Sequence, residues 1–249
     1  MIRLIIFLGL LGISFNSLSQ YDGEGENEIS RFRPGVMWFY TGMRPAKPGK
    51  PNKYDRLIFD ITYNDWIGDR DPFKNPPLSL GLNTNLMFDV PLTKGNTIAF
   101  GWGISHQIFN IRHDEMLVSD DGSKTTILIP IASTGFSPKK RSLVGNSFSV
   151  PLEVRFRKKS WKHLKVHLGG KIGYQLRLTE KTVGKYDGHK VVYRRHGFPN
   201  NSKLIYSTHV RFGLRNWALY ASYNLNSIFL NKESTQLNLI QFGLSISLF

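Results

Sequence analysis

From about residue 54 to the end of the chain, apolar and polar residues alternate almost one by one. One stretch sets Leu78, Leu80, Leu82, Leu86, Phe88 and Val90 on one face, opposite Ser79, Gly81, Asn83, Asn85 and Asp89. Another sets Leu164, Val166, Leu168, Ile172, Tyr174, Leu176 and Leu178 opposite Lys165, His167, Lys171, Gln175 and Arg177. A period of two belongs to a strand whose two faces meet different surroundings. Both a soluble sandwich and a membrane barrel satisfy that pattern, and length separates them. Sandwich strands run about 5 or 6 residues, whereas these run about 12, as strands that cross a membrane do.

Eight strands are predicted, at 54–67, 78–90, 97–111, 143–157, 164–180, 203–215, 217–229 and 236–249. The connections at 91–96, 158–163 and 215–216 are short, and those at 112–142 and 181–202 are long. Short turns on one side and long loops on the other predict an all-β fold, an eight-stranded antiparallel transmembrane β-barrel. The short turns then face the periplasm and the long hairpin loops the exterior, and an even strand number puts both termini in the periplasm. Each long loop holds a turn signal between β-formers. Asp120-Asp121-Gly122 lies between Met116-Leu117-Val118 and Thr125 to Ile129, and Asp187-Gly188 lies between Thr182-Val183 and Val191-Val192-Tyr193. Such turns favour hairpins, so the strands are expected to continue beyond the membrane as ribbons. Tyr54, Trp66, Trp161, Trp217 and Tyr220 are candidates for interfacial aromatic girdles. The chain ends on an aromatic, Phe249, after the apolar face of Ile240, Phe242, Leu244, Ile246 and Leu248, although Phe249 sits on the opposite parity.

The first 53 residues do not alternate. Arg3 followed by the apolar run Leu4 to Ile13 and then small polar residues reads as a secretory signal peptide over 1–19, cut before Gln20 with Ser17 and Ser19 at the recognition positions. The apolar run is too short to span a bilayer. Residues 20–53 are expected to form a periplasmic segment and 54–249 the barrel. The segment carries the proline-rich Arg44-Pro45-Ala46-Lys47-Pro48-Gly49-Lys50-Pro51, which does not extend a strand, after Val36-Met37-Trp38-Phe39-Tyr40. Three successive aromatics beside Arg31 and Arg33 are costly to leave in water and are enriched where proteins meet, so Arg31, Arg33, Trp38, Phe39 and Tyr40 are candidate partner-binding residues. With no cysteine, disulfides cannot stabilise the exported chain. The net charge of +15 suits lipid phosphates in that compartment better than nucleic acid. Lys139, Lys140, Arg141, Arg194 and Arg195 fall in the long loops and are candidate contacts to lipopolysaccharide phosphates.

The inward parity carries Asp60, Asp89, Glu153, Arg155, Lys165, His167, Lys171, Arg177, His209, Arg211 and Arg215. Buried charges persist when paired, so an ion network filling a narrow barrel is expected. Its excess of bases leaves room for water or for an acidic insert such as Glu24, Glu26 or Glu28. Catalytic candidates are Ser207 and His209 with His167, Ser105-His106, and His113-Asp114-Glu115, none with a spacing that identifies a triad. The seven histidines are scattered, so no metal is expected, and no glycine-rich phosphate loop joins a strand to a helix. No cofactor and no small-molecule substrate are indicated.

The run Arg31-Phe32-Arg33-Pro34-Gly35-Val36-Met37-Trp38-Phe39-Tyr40-Thr41-Gly42, with Lys53 to Asp60, Asn83 to Asp89 and the Ser247-Leu248-Phe249 ending, resembles the PorT-like outer-membrane β-barrel proteins of Bacteroidota. The likeness spans nearly the whole mature chain. It implies an eight-stranded barrel and, for some members, a part in type IX protein secretion; outer-membrane protein assembly is also conceivable. It implies no catalytic residue. The expected function is therefore that of a non-enzymatic accessory subunit of an envelope machine, held in the outer membrane with lipid, lipopolysaccharide and envelope proteins as partners. A lipid A-modifying enzyme and a surface adhesion barrel are the alternatives.

Overall fold

The computed structural model describes residues 55–69, 78–93, 97–113, 115–130, 138–158, 164–186, 189–214 and 216–248. Eight of its strands carry the barrel: β1 (Leu57–Gly68), β2 (Leu80–Pro91), β3 (Ile98–Arg112), β6 (Pro138–Arg157), β7 (Leu164–Tyr186), β9 (Leu204–Leu214), β10 (Trp217–Asn224) and β11 (Leu237–Ser247). Three shorter strands lie in the long loops: β4 (Glu115–Asp120), β5 (Thr125–Pro130) and β8 (His189–His196). The ladder runs β6-β3-β2-β1-β11-β10-β9-β7, and β6 pairs with β7 to close it. All pairs are antiparallel. The chain thus forms a closed eight-stranded antiparallel barrel of the transmembrane type, close to the predicted strand boundaries.

Its surface is inverted relative to a soluble protein. Leu80, Leu82, Leu86 and Phe88 of β2, Trp102 and Ile104 of β3, Phe148 to Phe156 on alternate positions of β6, and Leu168, Ile172 and Tyr174 of β7 are exposed. The intervening Asn83, Asn85, Ser105, Gln107, Glu153, Arg155, His167 and Lys171 are buried. Apolar patches on soluble monomers rarely exceed a few hundred Å². A belt around the whole wall suits hydrocarbon, and ring closure leaves no strand edge unpaired there. Among the described residues no helix is long and apolar enough to cross a membrane.

Four expectations need correction. Between Asn146↔Arg177 and Ser147↔Gln175 the register of β6 and β7 shifts, leaving Leu176 as an extra residue. A bulge of one residue reverses the parity beyond it. Leu178 therefore points inward and is buried, while Arg177 is exposed, the reverse of the sequence reading. Trp66 and Tyr220 are also buried, on the inward parity of β1 and β10, and do not join a lipid-facing girdle; Trp217 is exposed. Tyr54 and Trp161 lie outside the described residues. The β4–β5 hairpin forms at the expected Asp-Gly turn, but it pairs with no barrel strand and is not a ribbon continuing the wall. Its backbone is pinned instead to the β10–β11 connection, through Thr126 N to Ser234 Oγ (3.0 Å) and Leu128 N to Thr235 Oγ1 (3.0 Å). Finally, β10 ends at Asn224 because residues 225–236 turn over the barrel, where Phe229 is buried. In the second long loop β7 continues to Tyr186 and pairs with β8 through Tyr186↔His189, as the expected ribbon requires, while the Asp187-Gly188 turn lies outside the described residues.

Candidate functional site: the filled lumen

The turn-side end of the lumen is charged. The pleat of β6 sends Glu153 and Arg155 inward together, and long side chains there need space. Gly101 of β3 supplies it, since a Cβ at that position would stand 2.6 Å from Arg155 Nε. Gly169 of β7 does the same for Glu153, whose Cγ would lie 2.8 Å from such a Cβ. Arg155 Nε donates to Glu153 Oε2 (2.8 Å), and Nη1 donates to Asp89 Oδ1 (2.6 Å). Lys165 Nζ donates to Asp55 Oδ1 (2.6 Å) and Ser247 Oγ (2.9 Å). Arg157 Nη2 lies 2.7 Å from Asp89 Oδ2. One layer deeper, Arg211 grips Asp60 with two donors, Nε to Oδ1 (3.0 Å) and Nη2 to Oδ2 (2.8 Å), while its Nη1 donates to Glu153 Oε1. His209 Nε2 is 2.8 Å from the same Glu153 oxygen. His167 sits between Asp55 (3.6 Å) and Glu153 (3.8 Å).

A layer of amides and a phenol follows, with one lysine among them. Lys171 Nζ donates to Tyr220 Oη (3.1 Å) and stands 5.3 Å from that ring's centre. Gln107 Nε2 donates to Gln241 Oε1 (2.9 Å), and Gln241 Nε2 to Asn64 Oδ1 (2.6 Å). The loop-side end is apolar instead. Trp66, Phe109, Ile111, Leu143, Leu178, Leu237 and Leu239 from the wall meet Leu117 of β4, Phe198 and Phe229. Trp66 and Phe109 pack edge to face, with ring centres 5.9 Å apart, as do Phe198 and Phe229 at 6.1 Å.

The predicted catalytic sets are dispersed. Ser105 faces inward and its Oγ donates to Asn85 Oδ1 (2.8 Å), whereas His106 faces outward, stacked at 4.7 Å on Phe148 and bonded to Asn146 Oδ1 (2.7 Å). His209 is engaged by Glu153. His167 lies 3.6 Å from Asp55 and 3.8 Å from Glu153 without a hydrogen bond to either, and Ser207 is buried on β9. His113 Nδ1 is 2.8 Å from the Glu115 carbonyl; Asp114 lies outside the described residues. Among the described residues no group of three or more His, Asp or Glu is arranged to hold a metal.

Of the loop cations, Lys140 and Arg194 are exposed, and Arg195 places its guanidinium 5.1 Å over the Phe198 ring. Arg141 is a correction. It is buried, donating from Nε to Thr182 Oγ1 (3.1 Å) and from Nη1 to the Glu115 carbonyl (2.8 Å), with Glu180 at 3.8 Å. It braces the hairpin and offers nothing to a lipid phosphate. The side chains of Lys139 and Arg215, and all of Arg31, Arg33, Trp38, Phe39 and Tyr40, lie outside the described residues. Sequence reasoning missed the loop-side cluster, because Phe198 falls in the long loop 181–202 and Phe229 reads as the end of a strand over 217–229, whereas the chain leaves the wall at Asn224.

No family model matches the chain, and no curated protein matches it. Crystal structures of Ail, the attachment invasion locus protein of Yersinia pestis, are similar. In complex with the heparin analogue sucrose octasulfate, Ail has a TM-score of 0.37 and 13% identity, over 76% of this chain and 95% of that one. A second Ail structure has a TM-score of 0.31 and 14% identity over the same shares. Superposition this loose leaves the fold to rest on the closed ladder itself.

Proposed function

We propose that this chain is a non-conducting barrel of the bacterial outer membrane that serves as an accessory subunit of an envelope machine, in type IX protein secretion or in outer-membrane protein assembly. The observation that carries the reading is the filled lumen. Paired charges, amides and then rings occupy it from one end to the other, so the work falls to surfaces and attached segments. In this reading the short turns and both termini face the periplasm, and the segment bearing Arg31, Arg33, Trp38, Phe39 and Tyr40 is the partner-binding surface. Lys139, Lys140, Arg194 and Arg195 meet lipopolysaccharide phosphates outside. A non-enzymatic role is supported by the opposite facings of Ser105 and His106 and by the engagement of His209 with Glu153. The PorT-like resemblance of the N-terminal motif supports the secretion assignment.

Copurification from gently solubilised membranes tests this. A stable set of envelope proteins is expected, lost when Trp38 and Tyr40 become Ala while the barrel melts as before. Unchanged partners, or altered lipid A in a deletion strain without any partner, overturn it. A second reading, a surface adhesion barrel, draws on β8, where Val191, Val192 and Tyr193 are exposed in succession beside Arg194. Loss of cell attachment on deleting 187–196, with the copurifying set intact, selects that reading.

A further inference from the structure

Above its bulge β7 turns a different set of side chains toward the surroundings. The extra residue Leu176 reverses the parity, so Arg177, Thr179 and Lys181 face outward, whereas Lys171 and Gln175 below it face inward. Residues paired across an antiparallel ladder share a face, which fixes the outer surface of β6, β7 and β8 row by row. On the turn side Val150↔Ile172 and then Phe148↔Tyr174 are exposed apolar rows. Asn146↔Arg177 comes next, then Thr179↔His196, then Lys181↔Arg194. Rows on one face lie about 7 Å apart and neighbouring strands about 5 Å. Toward the loops the wall thus passes from aliphatic to aromatic to cationic.

Arg177 and Arg194 are exposed and Lys181 is half-buried. Among the described residues none of the three has an acidic partner. Glu153 and Glu180, the two acids of β6, β7 and β8, are buried on the inner face. Like charges held directly opposite, as Lys181 and Arg194 are, weaken the strand pair that carries them. Between this pair and Arg177, Thr179 Oγ1 and His196 Nδ1 lie 3.0 Å apart. An anion over that hydroxyl and imidazole has Arg177 on its turn side and both other cations on its loop side.

We propose that this outward face binds a phosphate of lipid A, whose acyl chains lie along Tyr174, Phe148 and the aliphatic rows beneath. Phosphate supplies the charge that Lys181 and Arg194 lack and accepts from guanidinium, ammonium and hydroxyl donors. The apolar rows in unbroken register with the cations select a lipid over a free anion. The proposal deepens the lipopolysaccharide contact given above and rests on the reading that the long loops face the exterior.

The test titrates the purified full-length barrel in detergent with bisphosphorylated lipid A, which is expected to raise the melting temperature of the parent. Arg177→Gln with Lys181→Gln and Arg194→Gln is expected to bind it roughly a hundredfold more weakly. Without lipid this variant should melt no lower than the parent, because like charges have been removed. Arg177→Gln alone, which leaves the β7–β8 pairs untouched, should weaken binding several-fold. Lys124→Gln with Lys203→Gln and Lys232→Gln removes as much charge from exposed positions elsewhere and is expected to bind as the parent does. Equal losses in the two triple variants overturn the site, since net charge alone then sets the affinity. Lipid A without phosphates that binds as tightly, or inorganic phosphate that displaces lipid A at equal phosphate concentration, overturns it as well. Protease cleavage of the β4–β5 hairpin in intact cells reads the orientation separately. Cleavage with unspecific binding overturns the site alone. An uncut hairpin overturns the orientation and, with it, lipid A as the ligand.

Discussion

The two ends of the lumen solve the same problem in opposite ways. Both are lined by the inward parity of the same eight strands, yet one is held by ion pairs and the other by rings and branched aliphatics. At the turn side each group depends on named partners in fixed directions, as Arg211 does on Asp60 and Glu153. At the loop side Phe109 needs only neighbours of suitable volume. A paired charge left alone in a dry interior is strongly destabilising, whereas an apolar core tolerates exchange if volume is kept. The charged end is thus specific and brittle, the apolar end permissive.

Substitutions break this contrast in a graded way. Arg211→Met leaves two fully buried carboxylates without their shared cation and is expected to cost about 3–5 kcal/mol, read as the urea midpoint of the folded barrel in lipid. Phe109→Ala removes a ring from the loop-side cluster and should cost about 3 kcal/mol. Repair sharpens the comparison. A Cβ on Gly145 would strike the Phe109 ring, so Gly145→Ala alone destabilises and Phe109→Leu in that background recovers part of the loss. No single apolar change repairs Arg211→Met. Lys171→Met, whose partner is the neutral Tyr220 hydroxyl, is expected to shift stability by less than about 1 kcal/mol. None of these variants should open an ion current, which single-channel recording checks.

The smallest effect lies at the tip of the β4–β5 hairpin. Hydrogen bonds from Ser123 and Gly122 hold the Asp120 carboxyl below its ordinary range. A depressed value means that the turn gains from the ionised form above the ordinary carboxylate range. The gain disappears as pH falls through the folded value. Protease cleavage at 120–124 in intact cells should therefore rise in acid below about pH 4, and Asp120→Asn should abolish that dependence.

Much of this architecture was legible because a closed barrel makes one demand of every strand, that alternate residues meet lipid and lumen. Asp60, Glu153, Arg155, His167 and Arg211 were all on the expected face for that reason. Parity reading stops at Leu176, since an unpaired residue leaves no trace in composition and every later position on β7 changes sides. It also stops in the loops. Arg141 looked like a surface cation among Lys139 and Lys140, and only the fold over it brought Thr182, Glu180 and the Glu115 carbonyl within reach. The ion network was foreseen as a set of charges, but its pairing was not, because Asp60 and Arg211 stand 151 residues apart.

That separation bears on how the barrel is made. Asp60 is on β1, Glu153 on β6 and Arg211 on β9, and no two of these strands are neighbours in the ladder. Hairpins formed early, such as β2–β3 or β9–β10, bring none of the three together. Until the β1–β11 seam has joined, β1 and β9 are not brought together, and Asp60 and Arg211 have water in place of each other. A half-assembled sheet therefore keeps a hydrated stripe that resists lipid. Zipping of the last seam and the drying of the interior become a single cooperative event, a latch that lets only the finished cylinder settle into the bilayer.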